Sequence, residues 1–122
     1  MRAGLALALA VVALVGTGCA DPAKAISAAG YRNAVSLGTR TELAQHGVLL
    51  RDRPVCRSTG AENASLGSDF TVECTASTPD DAAVTVHGVV TAAGTPAQRE
   101  DYVIRLDERM FLHADCLGAG CR

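Results

Sequence analysis

Apolar and polar residues alternate through most of the second half of the chain. This two-residue period predicts half-buried strands that place their apolar side chains on one face. A further strand, which contains Pro54, fits only the edge of a sheet because proline lacks an amide hydrogen for a central ladder. The predicted strands cover residues 48–56, 70–76, 84–90, 102–106 and 110–116. Gly88 is expected to allow a bulge within the third of them.

The residues before this region show a helical period instead. Tyr31 and Val35 fall on one helical face, Thr39 and Glu42 fit a capping box, and Gly47 stands where a helix would end. Gly38 is expected to break the segment, which therefore forms a helix-turn-helix or one bent helix over about residues 31–46. The predicted fold is α+β: an N-terminal helical segment packed on a four- to five-stranded antiparallel sheet, stapled by disulfides.

The first 18 residues have the pattern of an export signal. Arg2 precedes an uncharged run of Ala, Leu and Val over residues 3–18. A helix of this length rises about 24 Å, which is shorter than the roughly 30 Å hydrocarbon layer of a membrane. A short apolar run behind a positive charge that ends in small residues is typical of a signal peptide.

Gly16-Thr17-Gly18-Cys19 resembles a bacterial lipobox, although Leu, Val or Ile is commoner than Gly at its first position. The resemblance implies that Cys19 is lipidated and becomes the new N-terminus. An ordinary signal-peptidase site, Gly18-Cys19-Ala20, would instead discard Cys19. The first alternative divides the chain into a signal peptide (1–18), a lipidated N-terminus and tether (19–30) and a single small domain (31–122).

The chain has five cysteines, and either route removes or occupies Cys19 and leaves four. We predict disulfides Cys56–Cys74 and Cys116–Cys121 because both join neighbours, although four cysteines allow three connectivities. A zinc site is the alternative, since Cys116 and Cys121 fit the C-x₂₋₄-C spacing of structural zinc. Cys56 and Cys74 supply no second such pair, so the sequence predicts neither a metal nor a cofactor.

Composition limits the possible functions. Aromatic residues make up 3% of the chain and the formal net charge is −2, a combination that argues against a nucleic-acid partner. No spacing assembles a catalytic group, so we predict that the protein is not an enzyme. His46, His87 and His113 are expected at the surface, and the acidic pairs 80–81 and 107–108 are expected in solvated turns rather than as calcium ligands.

Three arginines form a short basic stripe within and directly after the first predicted strand: Arg51, Arg53 and Arg57. One interpretation is an interaction surface for an acidic partner or anionic headgroups. The other is protection of an edge strand against unwanted pairing. The sequence leaves both open.

The order of these features resembles small actinobacterial lipoprotein domains. The resemblance rests on the lipobox-like Cys19, the helical segment, a cysteine at the first strand, and F-T-V-E-C at 70–74 before V-T-V-H-G-V-V at 84–90. It implies a helix on a short antiparallel sheet, with a disulfide between the first two strands, and no particular activity. Arg57 stands where these domains often have proline, and the Cys116–Cys121 loop is an addition. Lys24 is the only lysine among eleven basic residues, a bias typical of high-GC actinobacterial genomes.

Two functional hypotheses follow. The first is a non-catalytic lipoprotein at the outer face of the cell membrane, which contacts membrane lipid through Cys19 and binds a protein partner or supports the envelope. The second is a freely secreted inhibitor of an extracellular enzyme, because small disulfide-stapled helix-on-sheet modules such as the β-lactamase inhibitory proteins are similar in architecture. Inhibitors usually present aromatic anchors, and this chain has few.

Overall fold

The computed structural model describes residues 28–60 and 67–118. In these residues one helix packs on a five-stranded antiparallel sheet, which confirms the predicted α+β architecture. Sheet neighbours are also neighbours in sequence, so the sheet is a meander in the order β1-β2-β3-β4-β5. The elements are α1 (Ala28–Gln45), β1 (Val55–Thr59), β2 (Phe70–Ser77), β3 (Ala83–Thr91), β4 (Arg99–Leu106) and β5 (Arg109–Ala114).

The predicted helix end at Gly47 is confirmed. Gly47 has a φ of 78°, a left-handed conformation that glycine adopts without steric cost. Its amide donates to the carbonyl of Ala44 at 3.0 Å, and the Val48 amide donates to the carbonyl of Leu43 at 2.8 Å. These two bonds form a Schellman motif, which satisfies carbonyls that the last helical turn leaves unpaired.

Of the two predicted forms, the structure has a single helix, and the helix-turn-helix with a break at Gly38 is wrong, because α1 continues through this residue. A Cβ at Gly38 would lie 3.0 Å from the Cβ of Leu117, and the Cα of Gly38 lies 3.1 Å from the ideal Cβ position of Gly118. The glycine therefore lets the C-terminal segment pack directly on the helix. Thr39 consequently lies inside α1, fully buried, and does not begin a second helix with a capping box.

The first strand begins later than predicted, at Val55 rather than Val48. Val48 and Leu50 pack against the core from the irregular segment that precedes β1. The hydroxyl of Ser36 donates to the carbonyl of Pro54 at 2.7 Å, so the helix fixes the entry to this strand. Arg32 also reaches β1, donating to the hydroxyl of Ser58 at 3.2 Å.

The predicted bulge at Gly88 is also wrong. Gly88 pairs in regular register with Val72 on β2 and Tyr102 on β4. A Cβ there would lie 2.6 Å from two ring carbons of Tyr102, so the missing side chain makes room for this fully buried ring. The irregularity of the sheet lies instead between β4 and β5, whose register shifts between Ile104 and Arg105 of β4.

The helix and one face of the sheet form the core. The ring of Tyr31 meets that of Phe70 edge to face, with 4.3 Å between their centroids. Most other buried core side chains follow the alternation predicted for the strands and the helical period of α1: Val35, Leu43, Val72, Cys74, Val84, Val86, Val90, Tyr102 and Ile104. Ala93 and Leu117 join them from the segments after β3 and β5. Within the described ranges, no helix has both the length and the hydropathy needed to cross a membrane.

The contact at Gly38 gives a stability prediction. Gly38→Ala should lower the free energy of unfolding by about 1 kcal/mol, because overpacking typically costs about 1–3 kcal/mol and outweighs the helix propensity gain of about 1 kcal/mol. Chemical denaturation of the two proteins measures the difference. Asn33→Ala, at an exposed position of the same helix, is the control and should leave stability unchanged or slightly raised. A Gly38→Ala protein more stable than wild type would contradict the packing.

Candidate binding surface on the open face of the sheet

The face of the sheet opposite α1 carries two cross-strand rows of side chains, which we call the open face. The β-sheet register places four residues of successive strands side by side in each row. The first row runs from an apolar residue to a cation: Val55, Thr75, Thr85 and Arg105. The second runs in the reverse sense: Arg57, Glu73, His87 and Val103.

These two rows line a groove of about 450 Å³, together with parts of Cys56, Cys74 and Val86. The volume falls within the 300–1,000 Å³ that is typical of ligand sites. Most of the lining side chains are exposed, in contrast to the apolar side chains that the same strands bury on the helix side. The groove is therefore open to an extended or flat partner.

Glu73 is the central charge of the groove. Its carboxylate lies 3.5 Å from Nε of Arg57 and 3.7 Å from Nδ1 of His87. The three side chains are 53–83% exposed, and solvent-exposed ion pairs of this kind contribute about 0–1 kcal/mol to stability. These two ion pairs therefore orient the side chains in the groove and contribute little to the stability of the fold.

Arg105 differs from Arg57 in having no such partner. Its side chain makes no hydrogen bond or ion pair with any residue in the described ranges, and the same is true of the hydroxyls of Thr75 and Thr85. The guanidinium of Arg105 and the hydroxyls of Thr75 and Thr85 therefore line the groove without a side-chain partner in the described residues. This set can donate hydrogen bonds to an anionic group.

A disulfide between Cys56 and Cys74 fixes the two strands at one side of the groove, as predicted. The two residues are directly paired in the register, with their Cα atoms 4.1 Å apart. Cys74 is buried against the core, so the cross-link lies on the helix side of the sheet. It fixes Val55 and Arg57 of β1 relative to their partners on β2.

The other cysteines are only partly within the described ranges. Cys116 is disulfide-bonded. Cys121 and Cys19 lie outside the described residues, so the predicted Cys116–Cys121 bridge and the lipidation of Cys19 remain predictions. The predicted signal peptide and tether also lie there, apart from the residues of the tether that begin α1.

The three arginines of the predicted stripe make different contacts. Arg51 pairs with Asp81 in the turn after β2, and Nε of Arg53 lies 3.3 Å from the hydroxyl of Ser36 on α1. Arg57 alone belongs to β1 and lines the groove. The structure therefore brings one arginine of the stripe to the open face, and Arg105, which the sequence analysis did not select, supplies the second.

The three histidines lie at the surface, as predicted, and each faces a carboxylate. His46 lies 3.5 Å from Glu42 and packs edge to face on Phe111, whereas His113 contacts Asp101. Two of these pairings cross between strands, so only the sheet register reveals them. In residues 28–60 and 67–118 no group of three or more His, Cys, Asp or Glu side chains could hold a metal ion.

The acidic turn residues are engaged in turn structure. The Thr78 hydroxyl, which lies 2.6 Å from Asp80, and the backbone amide of Asp80 itself hold the pKa of that carboxyl below its usual value. The charged form is therefore favoured in the folded state, and this contribution is lost as the pH falls through the lowered pKa. Asp107 accepts a hydrogen bond from the amide of Ala83 at 3.0 Å, which ties the β4–β5 turn to the start of β3.

Comparison with protein families, curated proteins and solved structures finds no match to this chain. The open face is therefore interpreted from its own residues. It combines a groove, one unpartnered guanidinium, two free hydroxyls and apolar flanks, which together fit recognition of a partner.

The disulfide gives a second stability prediction. Replacing both Cys56 and Cys74 by Ala should lower the free energy of unfolding by about 3 kcal/mol, since the bond closes a loop of 18 residues. Denaturation under non-reducing conditions measures this difference. In a reducing buffer the variant and the wild type should become nearly equal, because the wild type then loses the same cross-link. A non-reducing difference below about 1 kcal/mol would contradict the role assigned to this bond.

Proposed function

We propose that the protein is an exported lipoprotein, held at the outer face of the cell membrane by lipid on Cys19, and that it acts as a non-catalytic binding module. The open face of the sheet is its contact surface. The lipobox-like Gly16–Cys19 segment motivates the anchor, and the groove on the open face motivates the binding role.

The Cys56–Cys74 disulfide carries the proposal. Disulfides persist in oxidising compartments outside the cytoplasm and are rare within it. A third oxidised cysteine, Cys116, supports the same compartment. A leader sequence and stable disulfides in one chain are independent features, and both favour export.

The position of the helix relates the anchor to the binding surface. Cys19 and the start of α1 at Ala28 are nine positions apart in sequence, a length that spans at most about 30 Å when fully extended. An anchor at Cys19 would therefore keep the N-terminal end of α1 near the membrane. The groove lies on the face of the sheet opposite α1, so this anchor would leave it accessible to an envelope partner.

Membrane partition of a Cys19→Ser variant tests the anchor. In the native host, the wild-type protein should enter the detergent phase, whereas Cys19→Ser should appear in the aqueous phase or the medium because it cannot be lipidated. Thr17→Ser is the matched control, since it keeps a small residue in the lipobox-like segment and should partition like wild type.

Two outcomes would contradict the anchor. If Cys19→Ser also enters the detergent phase, something other than lipid on Cys19 holds the protein there. If the wild-type protein is found only in the medium, the chain is freely secreted, and inhibition of an extracellular enzyme becomes the favoured function.

A further inference from the structure

We propose that the groove on the open face binds an extended acidic peptide segment of a partner protein, with Arg105 as the principal charge contact. This inference rests on the proposed function and specifies the chemistry of its partner. The residues proposed to bind this peptide belong to the two rows of the open face, which point away from the hydrophobic core.

The charge of the groove favours an anionic occupant. Its charged lining residues are Arg57, Arg105 and Glu73, a net charge of +1 in a chain whose formal net charge is −2. Because Glu73 lies beside Arg57, the positive charge that it leaves uncompensated is at Arg105. A guanidinium binds a carboxylate through two parallel hydrogen bonds, which is the strongest contact the groove can offer.

The spacing of the two arginines favours an extended chain. Arg57 and Arg105 lie three strands apart and one row apart, which corresponds to about 16 Å for strand spacings of about 4.8 Å and a rise of about 3.3 Å per residue. An extended peptide covers that distance in about five residues. Side chains on one face of an extended chain are an even number of positions apart, so two acidic residues four positions apart, about 13 Å, come within reach of both long arginine side chains, the second by competing with the exposed carboxylate of Glu73.

The centre of the groove suits the rest of such a peptide. The hydroxyls of Thr75 and Thr85 lie between the two arginines and can bond to backbone or hydroxyl groups. Val55, which is 74% exposed, and Val103 supply apolar contacts at opposite corners. A membrane surface fits less well, because the groove lies on the side of the sheet and not at the N-terminal end of α1.

The test is calorimetric titration of the processed protein, in detergent, with the capped pentapeptide EVSVE and with its neutral counterpart QVSVQ. The acidic peptide should bind saturably and lose affinity as salt is added, and the neutral peptide should bind at least about tenfold more weakly. Amide spectra of the isotope-labelled protein should place the peptide-induced shifts on residues 55–57, 73–75, 85–87 and 103–105.

Arg105→Gln should weaken binding of the acidic peptide by about tenfold or more, the loss of one charge-assisted contact. Arg40→Gln is the matched control, because it removes the same charge from an exposed position of α1 and the Arg40 side chain makes no hydrogen bond or ion pair within the described part of the chain. It should change the affinity by less than about twofold. Both variants should unfold at the wild-type temperature, because neither arginine side chain makes a hydrogen bond or ion pair within the described residues.

Three results would overturn the proposal. The first is no saturable binding of the acidic peptide at millimolar concentration, and the second is equal weakening by Arg105→Gln and Arg40→Gln. The third concerns the amide resonances of the open face in the Cys19→Ser protein. If phosphatidylglycerol vesicles shift them and the peptide does not, the groove binds a membrane surface and not an acidic peptide. Detergent partition is measured separately, so an anchored protein that ignores the peptide overturns this inference and leaves the anchor intact.

Discussion

The cross-link between Cys56 and Cys74 joins the edge strand of the sheet to its neighbour, and several other contacts depend on that edge strand. β1 is five residues long and pairs only with β2. Two side chains of the helix donate hydrogen bonds at or directly before this strand: Ser36 to the carbonyl of Pro54 and Arg32 to the hydroxyl of Ser58. A covalent bond on the core side of so short a strand keeps both the helix contact and one wall of the groove in register.

The second constraint is that one helix can cover only one face of a five-stranded sheet. The helix covers the face that contains Tyr102 and Ile104, and the C-terminal segment closes over the helix where Leu117 meets Gly38. The opposite face of the described sheet carries Thr, Arg, Glu and His side chains, with Val55 and Val103 at opposite corners of the groove. The geometry that completes a small core thus also produces the surface to which we assign binding.

The local pattern of the sequence was sufficient for most of the fold. Alternation located β2 to β5, and Gly47 marked the helix end because its requirement is local: a left-handed residue after the last turn. Gly38 and Gly88 were misinterpreted because each makes room for a residue far away in sequence, Leu117 and Tyr102 respectively. Glycine has the same local signature whether it ends an element or admits a neighbour, so only the tertiary structure separates the two.

The candidate site was less accessible to sequence reasoning. Arg57 was selected because it lies near two other arginines in the chain, but the groove depends on which residues the register places side by side. Arg105 and Thr85 are cross-strand partners, although twenty residues separate them in sequence. The absence of a carboxylate beside Arg105, within the described residues, is likewise a property of the assembled sheet.

The most direct test of the lipid anchor and the two disulfides is the intact mass of the protein isolated from its native host without reduction. One mass reports the N-terminal residue, the attached lipid and the number of thiol hydrogens. We predict a chain that begins at Cys19, carries the mass of the attached lipid, and lacks four thiol hydrogens. A mass corresponding to Asp21–Arg122 would contradict the anchor, and four additional hydrogens would contradict the two disulfides and with them the assignment to an oxidising compartment.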